Sequence, residues 1–197
     1  MLRDKSKIKG KLVIKVMTQD GNVKRYKGFS FLNWLPDFIT DFLRNTFKMP
    51  VGNMLVVNHN IVTDEGDALV ADLMSMTPAR VKLDNTNGFI QVGTGWTGVT
   101  PKTNTVVNTA TGTPEVMDAT YPKQKGAFSA ADDNVTQYRA TFEAGDLNIT
   151  GIDEAALLNN VTPASADCLA YAQITPAVDV TTADTLQVNW EITFLGA

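Results

Sequence analysis

The chain has 197 residues, of which 44% are hydrophobic and 19% charged, with a formal net charge of −4. That is enough apolar material for one sizeable domain, or one domain plus an arm, and it excludes wholesale disorder. The single cysteine, Cys168, excludes an internal disulfide framework and a cysteine-rich zinc site, and the single histidine, His59, excludes a multi-histidine metal site.

Charge is divided unevenly. Residues 1–50 carry 11 Lys+Arg against 4 Asp+Glu, whereas residues 51–197 carry 6 against 17. A basic segment on an acidic remainder suggests a docking arm that seeks an acidic surface on another protein or on a sister copy. Nucleic acid is the weaker option, because no nucleic-acid motif accompanies the basic residues. The opening MLRDKSKIKGK is basic but lacks an apolar run, so no secretory signal is expected. No apolar stretch approaches the ~20 residues of a membrane span.

In chain order, KLVIKVM (11–17) alternates, with Leu12, Ile14 and Val16 on one side. Asp20-Gly21 supplies a tight turn, and VKRYKG follows as the return strand of a β-hairpin. Residues 33–48, NWLPDFITDFLRNTFK, predict a helix. Asn33 would cap it, Pro36 would sit in its first turn, and Asp37 would face the positive end of its dipole. Leu35, Phe38, Ile39, Phe42, Leu43 and Phe47 recur at helical spacing and predict a core-facing stripe, with Asp37, Asp41, Arg44 and Lys48 on the polar face. That polar face is mixed in charge, unlike a membrane-surface helix. Phe31 and Trp34 fall outside the stripe and suit partner contacts.

MPVGN (49–53) breaks the chain and marks the boundary between arm and body. MLVVNHNIV (54–62) predicts a strand, in which His59 is expected as a hydrogen-bonded structural histidine. Residues 63–76 predict a short helix capped by Thr63 or Asp64, with Leu69, Val70, Leu73 and Met74 inward. From Gly88 onward, short apolar segments alternate with turn signals. Candidate strands are FIQV (89–92), QYRATFE (137–143), NITGIDEAALLN (148–159), CLAYAQI (168–174) and TLQVNWEITF (185–194). In the last, Leu186, Val188, Trp190, Ile192 and Phe194 occupy every second place, the period of a half-buried antiparallel strand. Cys168 opens its strand as a small buried hydrophobe.

The expected fold class is therefore mainly β with minor α. Residues 1–50 form a basic hairpin-helix docking arm, and residues 51–197 an antiparallel β-sandwich body with one short helix (63–76).

VGTGWTGV (92–99) contains a literal G-x-G-x-x-G at Gly93, Gly95 and Gly98, after a predicted strand and ahead of acidic Glu115 and Asp118. The dinucleotide fingerprint needs a helix to follow, whose N-terminus holds the pyrophosphate. The continuation TPKTNTVVNTATGTPEVMDATYP is β-branched and proline-bearing, with no helical period. The glycines are expected to shape a structural turn, and no cofactor is expected. Two carboxylate groups stand out, Glu143 with Asp146 and Asp153 with Glu154. A hydrolase acting on polysaccharide would need such a pair about 5–9 Å apart. No catalytic motif accompanies them, and neighbours on a strand point to opposite faces, so no enzymatic activity is expected. Asp132, Asp133 and Asn134 lack the spaced pattern of a calcium loop and are expected in a solvated turn.

Several segments, taken in order, resemble a family. NHNIVTDEGDALVADLM (58–74), FIQVGTGWTGVTPKTNT (89–105), ITGIDEAALLN (149–159) and LQVNWEITF (186–194) resemble successive elements of the tail-collar fibre domain and head-neck accessory proteins of tailed bacteriophages. Ala155-Ala156-Leu157 departs from that family's Glu-x-Gly-Leu register. No fibre shaft follows the last strand, which favours a compact accessory subunit over a receptor-binding fibre. The resemblance implies a non-enzymatic structural component of the virion, made in the host bacterial cytoplasm. As a decoration, collar or adaptor subunit it would dock on the capsid, neck or tail and self-associate, without nucleic acid or membrane. Its expected interface residues are Lys7, Lys9, Lys11, Lys24, Arg25, Lys27, Phe31 and Trp34. The alternative is a carbohydrate-binding adhesin using Trp96, Tyr121 and Tyr138.

Overall fold

Alternation in the first strand sets the centre of the sheet. The structure, a computed structural model, describes residues 8–27, 32, 34–98, 102–127 and 131–194. Its elements are β1 (Ile8–Met17), α1 (Asp37–Phe47), β2 (Leu55–Val62), α2 (Asp64–Leu73), β3 (Phe89–Gly93), β4 (Ala110–Val116), β5 (Lys123–Gln124), β6 (Val135–Phe142), β7 (Ile149–Leu158), β8 (Cys168–Val180) and β9 (Thr185–Phe194). The nine strands form one antiparallel sheet in the order β4-β3-β7-β8-β2-β1-β9-β6-β5.

Leu12, Ile14 and Val16 of β1 point inward, as do Leu186, Val188, Trp190 and Ile192 of β9. They meet Ile90, Ile152, Leu157 and Phe142 in a concave core. Each such side chain contributes roughly 1.5–3 kcal/mol on full burial. The sheet curls until its edges approach. Asp118, just past β4, donates its N–H to Arg139 O of β6 at 2.8 Å, and its carboxylate accepts from Arg139 Nε and from Thr141 Oγ1.

The expected sandwich is not established by this pairing. Hydrogen bonding runs continuously through a single curled sheet, a half-barrel. Period-2 burial describes a strand with one wet face, and a curled sheet satisfies it as well as two stacked sheets do.

The boundary at residue 50 also needs correction. β1 pairs with β9 along its whole length and with β2 from Gly10 to Lys15, so the start of the expected arm is a central strand of the body. The charge shift at residue 50 does not mark where a domain ends. The turn after β1 forms as expected, with Thr18 N donating to Asn22 O at 2.8 Å and Gly21 at φ +76°. The return strand does not form beside β1, because β2 and β9 occupy both of its edges. Only isolated bridges, Met17 with Val23 and Arg25 with Asn53, remain.

α1 starts at Asp37 rather than residue 33. Pro36 takes the N-cap position and no side chain caps the helix. Asn33, the expected cap, lies outside the described residues. Lys48, at φ 56°, ends it. α2 is capped by Thr63, whose hydroxyl accepts from Gly66 N at 3.0 Å. Gly66 lies so close to β8 that a Cβ there would stand 2.2 Å from Leu169 O. α2 ends at Leu73, and Met74, expected inward, is 83% exposed.

Candidate functional site

The glycine turn is built around two carboxylates of the chain itself. β3 runs into Gly93 and pairs with β7, bringing Gly93 opposite Glu154. Glu154 is fully buried, yet every oxygen is used. Oε1 accepts from Gly95 N at 3.0 Å and Thr109 N at 2.9 Å. Oε2 accepts from Asn108 N at 3.0 Å, Asn108 Nδ2 at 3.1 Å and the Tyr171 hydroxyl. Asp153 accepts from Trp96 N at 3.1 Å. Burial lifts the Asp153 carboxyl above its usual value, opposed by the Trp96 N–H. Burial, and then the neighbouring Glu154 carboxylate, push the Tyr171 hydroxyl well above the usual phenol range.

The close approach explains two of the glycines. A Cβ on Gly93 would lie 2.5 Å from Thr109 O and 2.6 Å from Glu154 Oε1, and one on Gly95 would lie 2.5 Å from Thr109 Oγ1. Gly98 has open space around it but sits at φ +89°. The turn does gather backbone N–H groups around an anion, as phosphate loops do. Here the anions are Glu154 and Asp153, so these donors are already occupied. Above this network, Trp96 stacks on Tyr171 with ring centroids 6.1 Å apart. Val107 and Trp96 pack with Ala156, Leu158, Cys168 and Tyr171 in a second apolar cluster. The end of β7, from Glu154 to Leu158, and the start of β8, from Cys168 to Ala172, are thus buried on both faces, which is why AALL and CLAYA read as continuous apolar runs.

The other chemical candidates resolve simply. Asp146 accepts from Glu143 N at 2.6 Å and closes a turn. Among the described residues no group of three or more His, Cys, Asp or Glu side chains is placed to hold a metal ion. Asp132 O accepts from Gly126 N and Val135 N in the turn before β6. His59 is exposed on β2, opposite Lys11, rather than held inside. Cys168 is buried, and burial pushes its thiol up to about 12.

The expected interface residues separate into three groups. Lys7 and Phe31 lie outside the described residues. Lys9 and Lys11 project from the outer face of β1, with Lys9 lining a surface groove of about 470 Å³ beside Asn60, Asp67 and Lys102. Lys24 turns inward instead. It pairs with the nearly buried Asp184 and donates to Asp179 O at 3.3 Å, so it ties its segment to the β8–β9 turn. Arg25 pairs with Asp37 at 2.9 Å, and Lys27 is exposed.

The Lys24–Asp184 tie gives a pH prediction. Burial alone would raise the Asp184 carboxyl, but hydrogen bonds from Lys24 and from the Thr181 hydroxyl and N–H hold it below the usual value. A depressed folded-state pKa adds stability above the unfolded value of about 4, and that stability is lost as pH falls through the folded value. Urea unfolding between about pH 7 and pH 3 should show it. Asp184→Asn is expected to lower the midpoint at neutral pH and to flatten the acid limb. An acid limb of unchanged slope would contradict this account.

Trp34 belongs to the largest surprise. The phenylalanines of the α1 stripe face water, while Leu35, Ile39 and Leu43 are half-buried. Trp34 is 78% exposed, Phe38 73%, Phe42 57% and Phe47 62%. The buried residues of the helix are Thr40 and Arg44. Arg44 reaches Asn53 O at 2.8 Å and Val51 O at 3.5 Å, and pairs with Asp41 at 2.5 Å. Thr40 lies over Gly52, where a Cβ would come within 2.6 Å of its Oγ1. The signals available in the sequence are the four-residue spacing of Thr40 and Arg44 and the glycine of MPVGN. The stripe's greater hydrophobicity outweighed them.

No family model matches the chain, and no curated protein or solved structure matches it either.

Proposed function

We propose that this chain is a non-enzymatic structural subunit of a tailed-phage particle, docked through the outward aromatic face of α1. The observation that carries the reading is that face. A helix that buries Thr40 and Arg44 while presenting Phe38, Phe42 and Phe47 to water, with the exposed Trp34 just ahead of it, has aromatic surface available to a partner. The assignment to a phage particle rests on the ordered resemblance of residues 54–194 to tail-collar and head-neck proteins. Further support comes from the carboxylates that a hydrolase would need. Glu154 is saturated by five donors, and Asp153 holds the backbone of Trp96. The adhesin alternative has less to stand on. Trp96 stacks on Tyr171, Tyr138 is 8% exposed, and Tyr121 lies under Lys123 and Arg139.

The test is occupancy of the particle. Density-purified particles of the source phage are expected to contain the chain in fixed stoichiometry, measured by mass spectrometry. A chain carrying Phe42→Asp is expected to be lost from them. Particles without the wild-type chain would overturn the reading.

A further inference from the structure

We propose that the aromatic face of α1 is covered by the same face of a second copy of this chain, the two helices packing antiparallel about a two-fold axis. This deepens the docking role given above by naming the partner. Phe38 and Phe42 stand four residues apart on the helix, the Phe47 ring meets the Phe42 ring edge-on at 5.8 Å, and the exposed Trp34 lies three residues ahead of the first helical residue. The phenylalanines form a ridge about 13 Å long on the helix, and Trp34 adds exposed aromatic surface ahead of its first turn. A ridge of this kind packs against its own copy by ridges into grooves.

The area is sufficient. At about 150–250 Å² for each aromatic side chain, four that are 57–78% exposed offer about 500 Å² per copy. Two copies together bury about 1,000 Å², the size at which specific interfaces begin.

The charges fit an antiparallel pair. Asp37 lies in the first turn, and Lys48 follows the last. Antiparallel packing brings the acidic start of each helix toward the basic end of the other and opposes the two helix dipoles. Parallel packing would bring Asp37 and Asp41 against their own counterparts. The flanks are already compensated within each copy, by Arg25 with Asp37 and by Arg44 with Asp41. Two copies can therefore meet without bringing those charges in unpaired. The pairing is isologous, so it closes at the dimer.

Light scattering and sedimentation of the full chain test this. The wild type is expected at twice 21.4 kDa in the micromolar range. Phe42→Asp is expected to raise the dimer dissociation constant by about 30-fold or more, with the circular dichroism spectrum unchanged. Lys48→Glu should weaken the dimer, and adding Asp37→Lys should restore part of the loss. A wild type that stays monomeric at about 100 µM overturns the pairing. So does a dimer indifferent to Phe42→Asp. Binding of phosphatidylcholine or phosphatidylglycerol vesicles by a monomeric wild type would assign the face to lipid and overturn it too. Particle occupancy is read separately. A monomer still incorporated through Phe42 ends the self-pairing proposal and spares the virion reading, whereas a Phe42-dependent dimer missing from particles does the reverse.

Discussion

Replacing Glu154 by alanine is expected to cost about 3–5 kcal/mol of folding stability, the range for removing one side of a buried charged network. Five donors converge on this carboxylate, three of them backbone N–H groups at Gly95, Asn108 and Thr109. With the carboxylate gone those N–H groups lose their acceptor, at about 1–3 kcal/mol for each one that water cannot reach. Glu154→Gln is the informative companion. Its amide oxygen can keep the Oε1 contacts, but its NH₂ would face Asn108 N, which cannot turn into an acceptor. The Tyr171 hydroxyl can rotate to accept instead. The loss for glutamine should therefore be smaller than for alanine. Urea unfolding measures both, and amide exchange should accelerate at Gly95, Asn108 and Thr109. A loss below about 1 kcal/mol for Glu154→Ala would mean that the turn is held by the Trp96–Tyr171 cluster instead.

That network shows where sequence reading succeeds and where it stops. The motif around Gly93, Gly95 and Gly98 can be denied a phosphate from sequence, because no helix-forming segment follows it. The identity of the anion that does occupy it cannot be read, since Glu154 lies 59 residues beyond Gly95 and nothing local links them. The strand at 185–194 is legible because half-burial imposes its period on the sequence. The Asp20-Gly21 turn and the Thr63 cap are legible because each is satisfied within a few residues. The partners of β1 are not, because β9 arrives at the far end of the chain and takes the edge that a local hairpin would use. Closure into one curled sheet is equally invisible. It depends on Asp118 meeting Arg139 across the mouth, a contact between strands that are not neighbours.

The face chosen by α1 is the sharpest failure of local pattern. Periodicity tells which residues share a face, and hydrophobicity is then taken to say which face turns inward. That second step assumes that nothing else covers the apolar side. Here the surface beneath the helix is backbone. Beneath Thr40 and Arg44 the carbonyls of Val51 and Asn53 and the bare Gly52 offer acceptors and close approach, and Leu35, Ile39 and Leu43 are only half-buried. Arginine fits such a surface, with a guanidinium fork for the carbonyls and a long stem for the gap.

Arg44→Ala is therefore expected to release α1 from the body at a cost of about 3 kcal/mol or more, since the guanidinium is buried and holds three oxygens. The effect should be local. Amide exchange should accelerate through 37–47 and at Tyr26, whose N–H donates to Gly52 O, while β9 stays protected. Arg44→Met separates the two contributions, because it keeps the stem and loses the fork. If methionine restores most of the stability, packing holds the helix. If it behaves like alanine, the carbonyl contacts do. The variant also distinguishes the helix's two roles. Phe42→Asp should abolish pairing and leave the fold intact, whereas Arg44→Ala should loosen the helix first and weaken pairing as a consequence. A released helix can turn its aromatic ridge in any direction, so the alanine variant should also bind hydrophobic dyes and aggregate on warming. Unchanged exchange in α1 after Arg44→Ala would show that Thr40 over Gly52 suffices to hold it, and the inward arginine would then have no part in presenting the aromatic face.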